Sequence, residues 1–270
     1  RQMCIRDSYD AEHALDGYKD DPEYAMATWK AAEEAGADFV VLCDTNGGTL
    51  PGEIEQIVAA VTKRFPAEKI GVHLLYDTEL AVAGSLAAIA AGARQVQGTL
   101  NGIGERCGNT NLCTLIANLR LKPALAEAFD IGVPRKNLAD LTKISRTLDE
   151  LLGRMPARQS PYVGTAAFAH KGGLHASAVA KDPQTYEHVP PEAVGNVRQI
   201  VVSDQSGRAN ILAHLKDIGL DLEAADARVP ALLEAVKSLE ADTGLTFDGA
   251  DASFEIFVRR FFGEKLAFYT

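Results

Sequence analysis

The sequence predicts an α/β protein with a parallel sheet, followed by a mainly helical appendage. From residue 9 to about residue 122, short apolar runs alternate with amphipathic segments of helical length. Glycines and polar residues follow the ends of the apolar runs, as they do where strands enter loops. Strands separated by helices of this length form right-handed βαβ units with parallel strands. After Pro123 most apolar patterns have helical length, which predicts the appendage.

The first half of the chain is predicted to contain four β/α units. Residues 9–13 end the first strand, and Asp21-Pro22 opens a helix, since Asp caps a helix and Pro fits its first turn. The apolar composition of 39–43 indicates a buried parallel strand. The later elements are, in order, helix 51–64, strand 69–73, helix 79–91, strand 94–100 and helix 111–121. Four units are half of an eight-stranded TIM (β/α)8 barrel and leave two open sheet edges.

The domain organisation follows from these elements. Residues 1–8, RQMCIRDS, match no element and are expected to be a foreign, adapter-like tail. Residues 9–122 are predicted to form the second half of the barrel, and residues 123–270 the helical region. That region has an amphipathic helix at 138–153, a short strand or turn at 199–202, helices at 208–219 and 228–240, and a helix or strand at 251–260.

Composition and charge exclude several classes of function. The 270 residues are 47% hydrophobic and 24% charged, with a formal net charge of −10. An acidic chain does not suit nucleic acid, because phosphate binding needs a basic face. The sequence contains no run of eighteen apolar residues, so it predicts no membrane span. The four cysteines have no C-x-x-C spacing, so we expect reduced thiols and a cytoplasmic location.

Several long motifs occur in one order along the chain: YDAEH, VLCDTNGGTLP, DTELAVA, GTLNGIGERCGN, AFAHKGGLHASAV, DPQTYEHV and SDQSGRAN. From residue 9 onward the chain resembles the enzymes that condense acetyl-CoA with a 2-keto acid, namely the isopropylmalate, citramalate and homocitrate synthases. Among these, the motifs are most similar to the citramalate synthase subgroup. The resemblance implies the second half of a TIM-barrel catalytic domain, a regulatory domain beyond the present sequence, a homodimer, and pyruvate and acetyl-CoA as substrates for isoleucine biosynthesis.

The resemblance implies a Claisen-type condensation that uses a divalent metal, either Mg, Mn or Zn. His73 matches the first histidine of the family's metal-binding His-x-His pair. The second position of that pair is Leu75, which has no lone pair to donate. Tyr76 and Gly84 also stand where the family usually has asparagine. We therefore expect this chain to be inactive alone.

The other site residues are assigned by the same resemblance. Glu12 is expected near the acetyl-CoA thioester, or else as a solvated carboxylate; Thr45 is expected to bind the keto-acid carboxylate, or else to cap the next helix. His175 and Tyr186 are expected to complete the partner's site, with a backbone-satisfied histidine and a packed aromatic as the alternatives. The expected substrate-binding loop, whose glycines let backbone amides approach a ligand, carries Gly102, Gly104, Glu105, Arg106 and Asn109.

Two alternative functions remain open from the sequence. One is a 2-isopropylmalate synthase, which takes 2-ketoisovalerate for leucine biosynthesis. The other is a non-catalytic, degenerate subunit that keeps a dimerising appendage. Leu75 and Tyr76 favour the degenerate subunit, whereas the retained Thr45, His175 and Tyr186 disfavour it.

Overall fold

The computed structural model of the chain describes residues 6–202, 206–223, 225–247 and 250–264. Residues 1–5 of the expected foreign tail and residues 203–205 of the SDQSGRAN motif therefore lie outside the described residues. The chain divides into two compact units. Unit 1 comprises Arg1–Arg135 and Ile144–Arg154, and unit 2 comprises Lys136–Lys143 and Met155–Thr270. Among the described residues, no helix is both long enough and apolar enough to cross a membrane.

Unit 1 is built on a parallel sheet of four strands in the order β1-β2-β3-β4. The strands are β1 (Ser8–Ala11), β2 (Phe39–Asp44), β3 (Ile70–Leu74) and β4 (Gln95–Gln97). Every neighbouring pair is parallel, and the register aligns Cys43 with His73 and His73 with Gln97. The predicted α/β class with a parallel sheet is confirmed.

Among the described residues, six helices follow or connect these strands: α1 (Ala14–Asp20), α2 (Pro22–Glu34), α3 (Pro51–Val61), α4 (Ala81–Ala90), α5 (Leu112–Leu121) and α6 (Pro123–Ala128). The start of α2 is as predicted, because the Asp21 side chain accepts from the backbone N–H of Tyr24 at 3.0 Å and Pro22 occupies the first turn. Helix α1 was not predicted.

The two faces of the sheet differ in character. Successive strand residues point to opposite faces. Val40, Leu42 and Val72 belong to one face and join the hydrophobic core together with residues of α1 to α4. The opposite face carries His73 and Gln97, side by side in the register. The helices therefore cover the apolar face, and the polar residues lie on the other.

The described part of unit 2 is mainly helical, with one short pair of parallel strands. Its elements are β5 (Ala169–His170), α8 (Gly173–Lys181), β6 (Gln199–Ile200), α9 (Arg208–Asp217), α10 (Arg228–Thr243) and α11 (Asp251–Phe261). The helices expected from residues 208 and 228 are observed, and the segment from residue 251 is a helix, not a strand. Buried Ile211, Leu232 and Phe254 belong to the core that these last three helices share.

Helix α7 (Leu141–Leu151) is the amphipathic helix expected at 138–153, but its burial is unusual. Ser145 and Asp149 are buried, at 5% and 7% exposure. Ile144 and Leu151, from the apolar stripe, are 43% and 80% exposed. The helix thus buries part of its polar side and leaves apolar side chains in contact with solvent.

Candidate active site

The candidate site lies where the four parallel strands of unit 1 end. The carboxyl ends of parallel strands meet at one edge of a sheet, where α/β proteins build their binding sites. Glu12 follows β1, Thr45 follows β2, His73 is near the end of β3, and the loop 98–111 follows β4. The structure brings residues from all four strand ends into contact.

Glu12 and Thr45 contact each other directly. The Thr45 hydroxyl donates a hydrogen bond to Oε2 of Glu12 at 2.6 Å and accepts one from the backbone N–H of His13 at 2.8 Å. His13 has a φ of 54°, a left-handed conformation that is uncommon for a residue with a side chain. The Thr45 hydroxyl therefore both donates and accepts a hydrogen bond within the site.

Arg106 joins the loops that follow three strands. Its guanidinium donates to both carboxylate oxygens of Asp77, at 2.6 and 2.9 Å, and to the backbone carbonyl of Thr45 at 2.9 Å. This two-pronged ion pair has the geometry that makes Arg–carboxylate contacts specific. The hydrogen bond from Arg106 lowers the pKa of Asp77. A Cβ at Gly47 would lie 2.7 Å from Oδ2 of Asp77, so glycine leaves room for the carboxylate.

His73 is held between two amide oxygens. Its Nδ1 lies 2.8 Å from Oε1 of Gln97, and its Nε2 lies 3.0 Å from Oδ1 of Asn109. The amide nitrogen of Gln97 donates to Asp10 at 2.9 Å, and that of Asn109 donates to the carbonyl of Ile103 at 3.0 Å. The oxygens of Asp10 and Ile103 accept these bonds and cannot donate. Each amide must therefore direct its NH2 group toward one of them and its oxygen toward His73. The orientation of the imidazole ring follows.

The glycines of the loop 98–111 make room for this arrangement. A Cβ at Gly104 would overlap the amide nitrogen of Asn109. Gly102 has a φ of 67° and follows Asn101, whose φ is 58°. The Asn101 side chain donates to the carbonyl of Ser145 at 2.9 Å and accepts from the Ser145 hydroxyl at 2.7 Å. The side chain of Asn101 therefore ties the loop to Ser145, while Glu105 is exposed.

Two expected site residues lie in unit 2, which is described by itself. His175 is on α8, and Tyr186 follows the short turn Pro183–Thr185. Their rings stack, with centroids 4.2 Å apart and an interplanar angle of 30°. Both residues are exposed. The structure therefore pairs the two residues with each other at an exposed position of unit 2.

The sequence reasoning missed three polar residues of the strand-end site: Asp10, Asp77 and Gln97. Asp77 was visible within the motif DTELAVA, and Gln97 could have been found from the alternation Gln-Val-Gln on β4. Cys43 lies between Asp10 and Gln97 in the strand order. Burial, with the charges of Glu12 and Asp10, raises the pKa of Cys43 to about 12, so this thiol stays protonated at neutral pH.

Two residues that differ from the expected family motif, Gly84 and Tyr76, pack closely against their neighbours. Gly84 lies in α4 opposite α3, and a Cβ there would be 2.7 Å from Cδ1 of Ile54 and 2.9 Å from Cδ1 of Leu74. Tyr76 is partly buried and packs against the hydrophobic core of the sheet. Burial raises its pKa. Glycine at position 84 and tyrosine at position 76 therefore both fit the packing around them.

The comparison with known families gives the class of protein. The HMGL-like family profile matches residues 11–148, about half of the chain. A second profile, the homocitrate synthase post-HMGL domain-like family, matches residues 162–244. The chain therefore belongs to the HMGL-like family.

Several individual proteins of known function resemble this chain over most of its length. The (R)-citramalate synthase of Aquifex aeolicus is 50% identical over 255 residues, which cover 94% of this chain and 47% of that protein. That of Synechocystis is 47% identical, covering 98% and 49%. The 2-isopropylmalate synthase of Sulfolobus acidocaldarius is 36% identical, covering 88% and 59%. The chain spans about half the length of the (R)-citramalate synthases that it matches.

Members of this family generally use a divalent metal, and the described strand-end residues fit such a metal only in part. The described residues include no group of three or more His, Cys, Asp or Glu side chains that could hold a metal ion. Nε2 of His73 and Oδ1 of Asn109 lie 3.0 Å apart and are the atoms of these two side chains that could bind a cation. Leu75, two residues after His73 on the same face of the chain, is 9% exposed and offers no donor atom. The described residues do not make up a complete metal site.

Proposed function

We propose that the protein condenses acetyl-CoA with pyruvate and hydrolyses the thioester, giving (R)-citramalate and free CoA. The observation that carries this proposal is the contact of Thr45 with Glu12 and Arg106 at the strand ends. In this contact the Thr45 hydroxyl donates to the Glu12 carboxylate, and the Thr45 backbone carbonyl accepts from the Arg106 guanidinium. The names of the relatives that are 45–50% identical, all (R)-citramalate synthases, support it.

The proposed reaction has two steps. A methyl proton of acetyl-CoA is removed, and the resulting enolate carbon attacks the C2 carbonyl of pyruvate, whose oxygen becomes a hydroxyl. Water then attacks the thioester, and the carbon–sulfur bond breaks to release CoA. Glu12 and His175 would exchange protons in these steps, since a carboxylate and an imidazole both act as general acids and bases. The Tyr186 hydroxyl would stabilise the enolate oxygen by donating a hydrogen bond.

The substrate contacts are proposed from the same geometry. Thr45 would bind the pyruvate carboxylate by turning its hydroxyl away from Glu12. Backbone amides at Gly102 and Gly104 would approach acetyl-CoA closely. Glu105, Arg106 and Asn109 would shape the same loop. A divalent cation, when bound, polarises a keto-acid carbonyl, and His73 is proposed as one of its ligands in the whole protein.

The proposed architecture completes this function. Unit 1 supplies four β/α units of a TIM barrel, which is half of the eight in a closed barrel. His175 and Tyr186 of one subunit would complete the site of the other in a homodimer.

We place the protein in the cytoplasm, because Cys43, Cys107 and Cys113 are free thiols.

A non-catalytic subunit is the second candidate, and one observation favours it. Leu75 removes an imidazole from the position next to His73, and loss of a metal ligand weakens a site severely. Under this reading, neither the chain nor the whole protein would form citramalate. A 2-isopropylmalate synthase is a third candidate, distinguished by a preference for 2-ketoisovalerate.

A chimera tests the proposed function. This chain replaces the matching 255-residue segment of the Aquifex aeolicus relative, with Leu75 retained in one version and changed to His in the other. Release of CoA from acetyl-CoA is followed with pyruvate or with 2-ketoisovalerate, and the product is identified by mass spectrometry. We expect citramalate from the L75H chimera with a preference for pyruvate, and no product from the chain alone. An inactive L75H chimera beside an active parent would refute the proposal.

A further inference from the structure

Tyr186 lies between two histidine rings in unit 2. Its ring centroid is 4.2 Å from that of His175, in a stacked arrangement, and 6.3 Å from that of His170, in an edge-on arrangement. The His170 side chain is 8% exposed, whereas His175 and Tyr186 are exposed. The tyrosine ring therefore has a buried ring on one side and an exposed ring on the other.

Glu187, the next residue, points inward and fixes the buried ring. Its side chain is 3% exposed. Nε and Nη2 of Arg198 each donate to one of its oxygens at 2.6 Å, and Nε2 of His170 lies 3.1 Å from Oε1. A carboxylate only accepts, so the Nε2–H of His170 is the donor. The orientation of the His170 ring is thereby set by Glu187.

The carboxylate of Glu187 also connects separate pieces of backbone. His170 is in β5, and Arg198 directly precedes β6, the strand paired with β5. The backbone N–H groups of Tyr186 and Glu187 both donate to the carbonyl of Pro183, at 3.1 and 2.9 Å. One side chain thus joins the strand pair to the turn that carries Tyr186.

We propose that Glu187 is a positioning residue, which holds His170 and Arg198 and thereby keeps the Tyr186 ring stacked on His175. The inference rests on the proposed function in one respect, namely that His175 and Tyr186 take part in the reaction. Two side chains that are ordered before the substrate arrives lose less conformational freedom on binding. Their correct mutual orientation also contributes directly to the rate.

The stack can be measured in solution by NMR of the complete chain with labelled histidine. The His175 resonances are assigned with the variant His175→Gln. Tyr186→Leu defines the full ring-current shift that Tyr186 causes on the His175 ring protons. We expect Glu187→Ala to remove most of this shift. Glu187→Gln should remove a smaller part, because the Gln amide oxygen still accepts from His170 but no longer neutralises Arg198. Glu234→Gln, an exposed acid on α10, is the control and should remove none.

Circular dichroism checks that each variant is folded, and Glu187→Gln, which keeps the size of the side chain, carries the test if Glu187→Ala does not fold. An unchanged His175 shift in folded Glu187→Gln would overturn the proposal. The absence of any Tyr186-dependent shift in the unsubstituted chain would overturn it as well. Since no product is measured, failure of the citramalate assay and failure of this inference are separate results.

Discussion

Oδ1 of Asn109 lies 3.0 Å from Nε2 of His73, so the loop after β4 is connected to the end of the neighbouring strand β3. The other amide atom of Asn109 donates to the carbonyl of Ile103 within the loop. The position of Asn109 relative to the imidazole therefore depends on the loop backbone. A change that moves this loop backbone should be detected at His73, although Asn109 and His73 are 36 residues apart in sequence.

Gly104→Ala tests this dependence. A Cβ at this position overlaps the amide nitrogen of Asn109, so Asn109 must turn and its contact with His73 should be lost. The measurement is the ring-nitrogen chemical shift of His73 in histidine-labelled protein. Gly52→Ala is the control, because a Cβ there meets nothing within 4 Å and Gly52 lies in α3. That control should leave His73 unchanged and stabilise the chain by about 0.5–1 kcal/mol. Equal His73 spectra in both variants would contradict the coupling.

Leu75→His should restore binding of a divalent cation at the strand ends. Leu75 follows His73 by two residues, so its side chain points to the same face of the extended chain. Adding an imidazole there should raise the affinity for Mn²⁺ by at least ~10–100-fold, the range known for the loss of mere supporting contacts. The affinity is measured by electron paramagnetic resonance of free Mn²⁺.

The matched control for this substitution is Leu50→His, at a side chain that is 56% exposed and outside the strand-end contacts. It adds the same imidazole to the chain and should leave the affinity as it was. If Leu50→His and Leu75→His bind Mn²⁺ equally, then His73 is not part of a latent metal site.

Asp44 should make stability depend on pH. It is 3% exposed, and burial raises its pKa, although two hydrogen bonds from Thr49 act in the opposite direction. A carboxyl whose pKa is raised on folding stabilises the folded state below its unfolded value of 3.8, and this contribution is lost as the pH rises through the folded value. Asp44→Asn replaces the carboxyl with an amide that does not titrate, so the variant does not lose this stability as the pH rises. The free energy of unfolding of Asp44→Asn, relative to that of the unsubstituted chain, should therefore increase as the pH rises above 3.8.

Urea unfolding at several pH values measures this difference, with Asp20→Asn at an exposed position as the control. A second variant, Asp44→Ala, should be less stable at every pH by about 1–3 kcal/mol, because the buried hydroxyl and N–H of Thr49 lose their acceptor. A pH-independent effect of Asp44→Asn would show that the carboxyl titrates as it does in water.

The sheet of unit 1 was predictable from sequence to within a few residues, because buried parallel strands are short apolar runs with loops at both ends. Helix α1 was missed: its seven residues include Gly17 and bury only Ala14 and Leu15, which is too little for a periodic pattern. The contact of Glu12 with Thr45 agrees with the rule that strand ends converge.

Other parts of the site could not be predicted, because they depend on how the sheet curves. Gln97 on β4 reaches Asp10 on β1, the strand at the opposite edge of the sheet, at 2.9 Å. A flat sheet with strands about 4.8 Å apart would keep these side chains well separated. No local pattern in the sequence encodes that curvature. The stacking of His175 on Tyr186 is likewise a contact between helix α8 and the residue after the Pro183–Thr185 turn, which no local pattern in the sequence predicts.

Helix α7 gives the sharpest contrast between pattern and structure, and it can be tested by a pair of alanine variants. Leu151 is 80% exposed, so Leu151→Ala should change the free energy of unfolding by no more than about 0.5 kcal/mol. Ser145 is 5% exposed and donates to Asn101, so Ser145→Ala should cost about 1–3 kcal/mol. Both changes introduce alanine into the same helix, so the helix propensity of alanine changes the free energy of unfolding in the same direction in both variants. Urea unfolding decides the order. If Leu151→Ala proves the more costly change, the Leu151 side chain is covered in solution by a partner, because nothing within the described residues buries it.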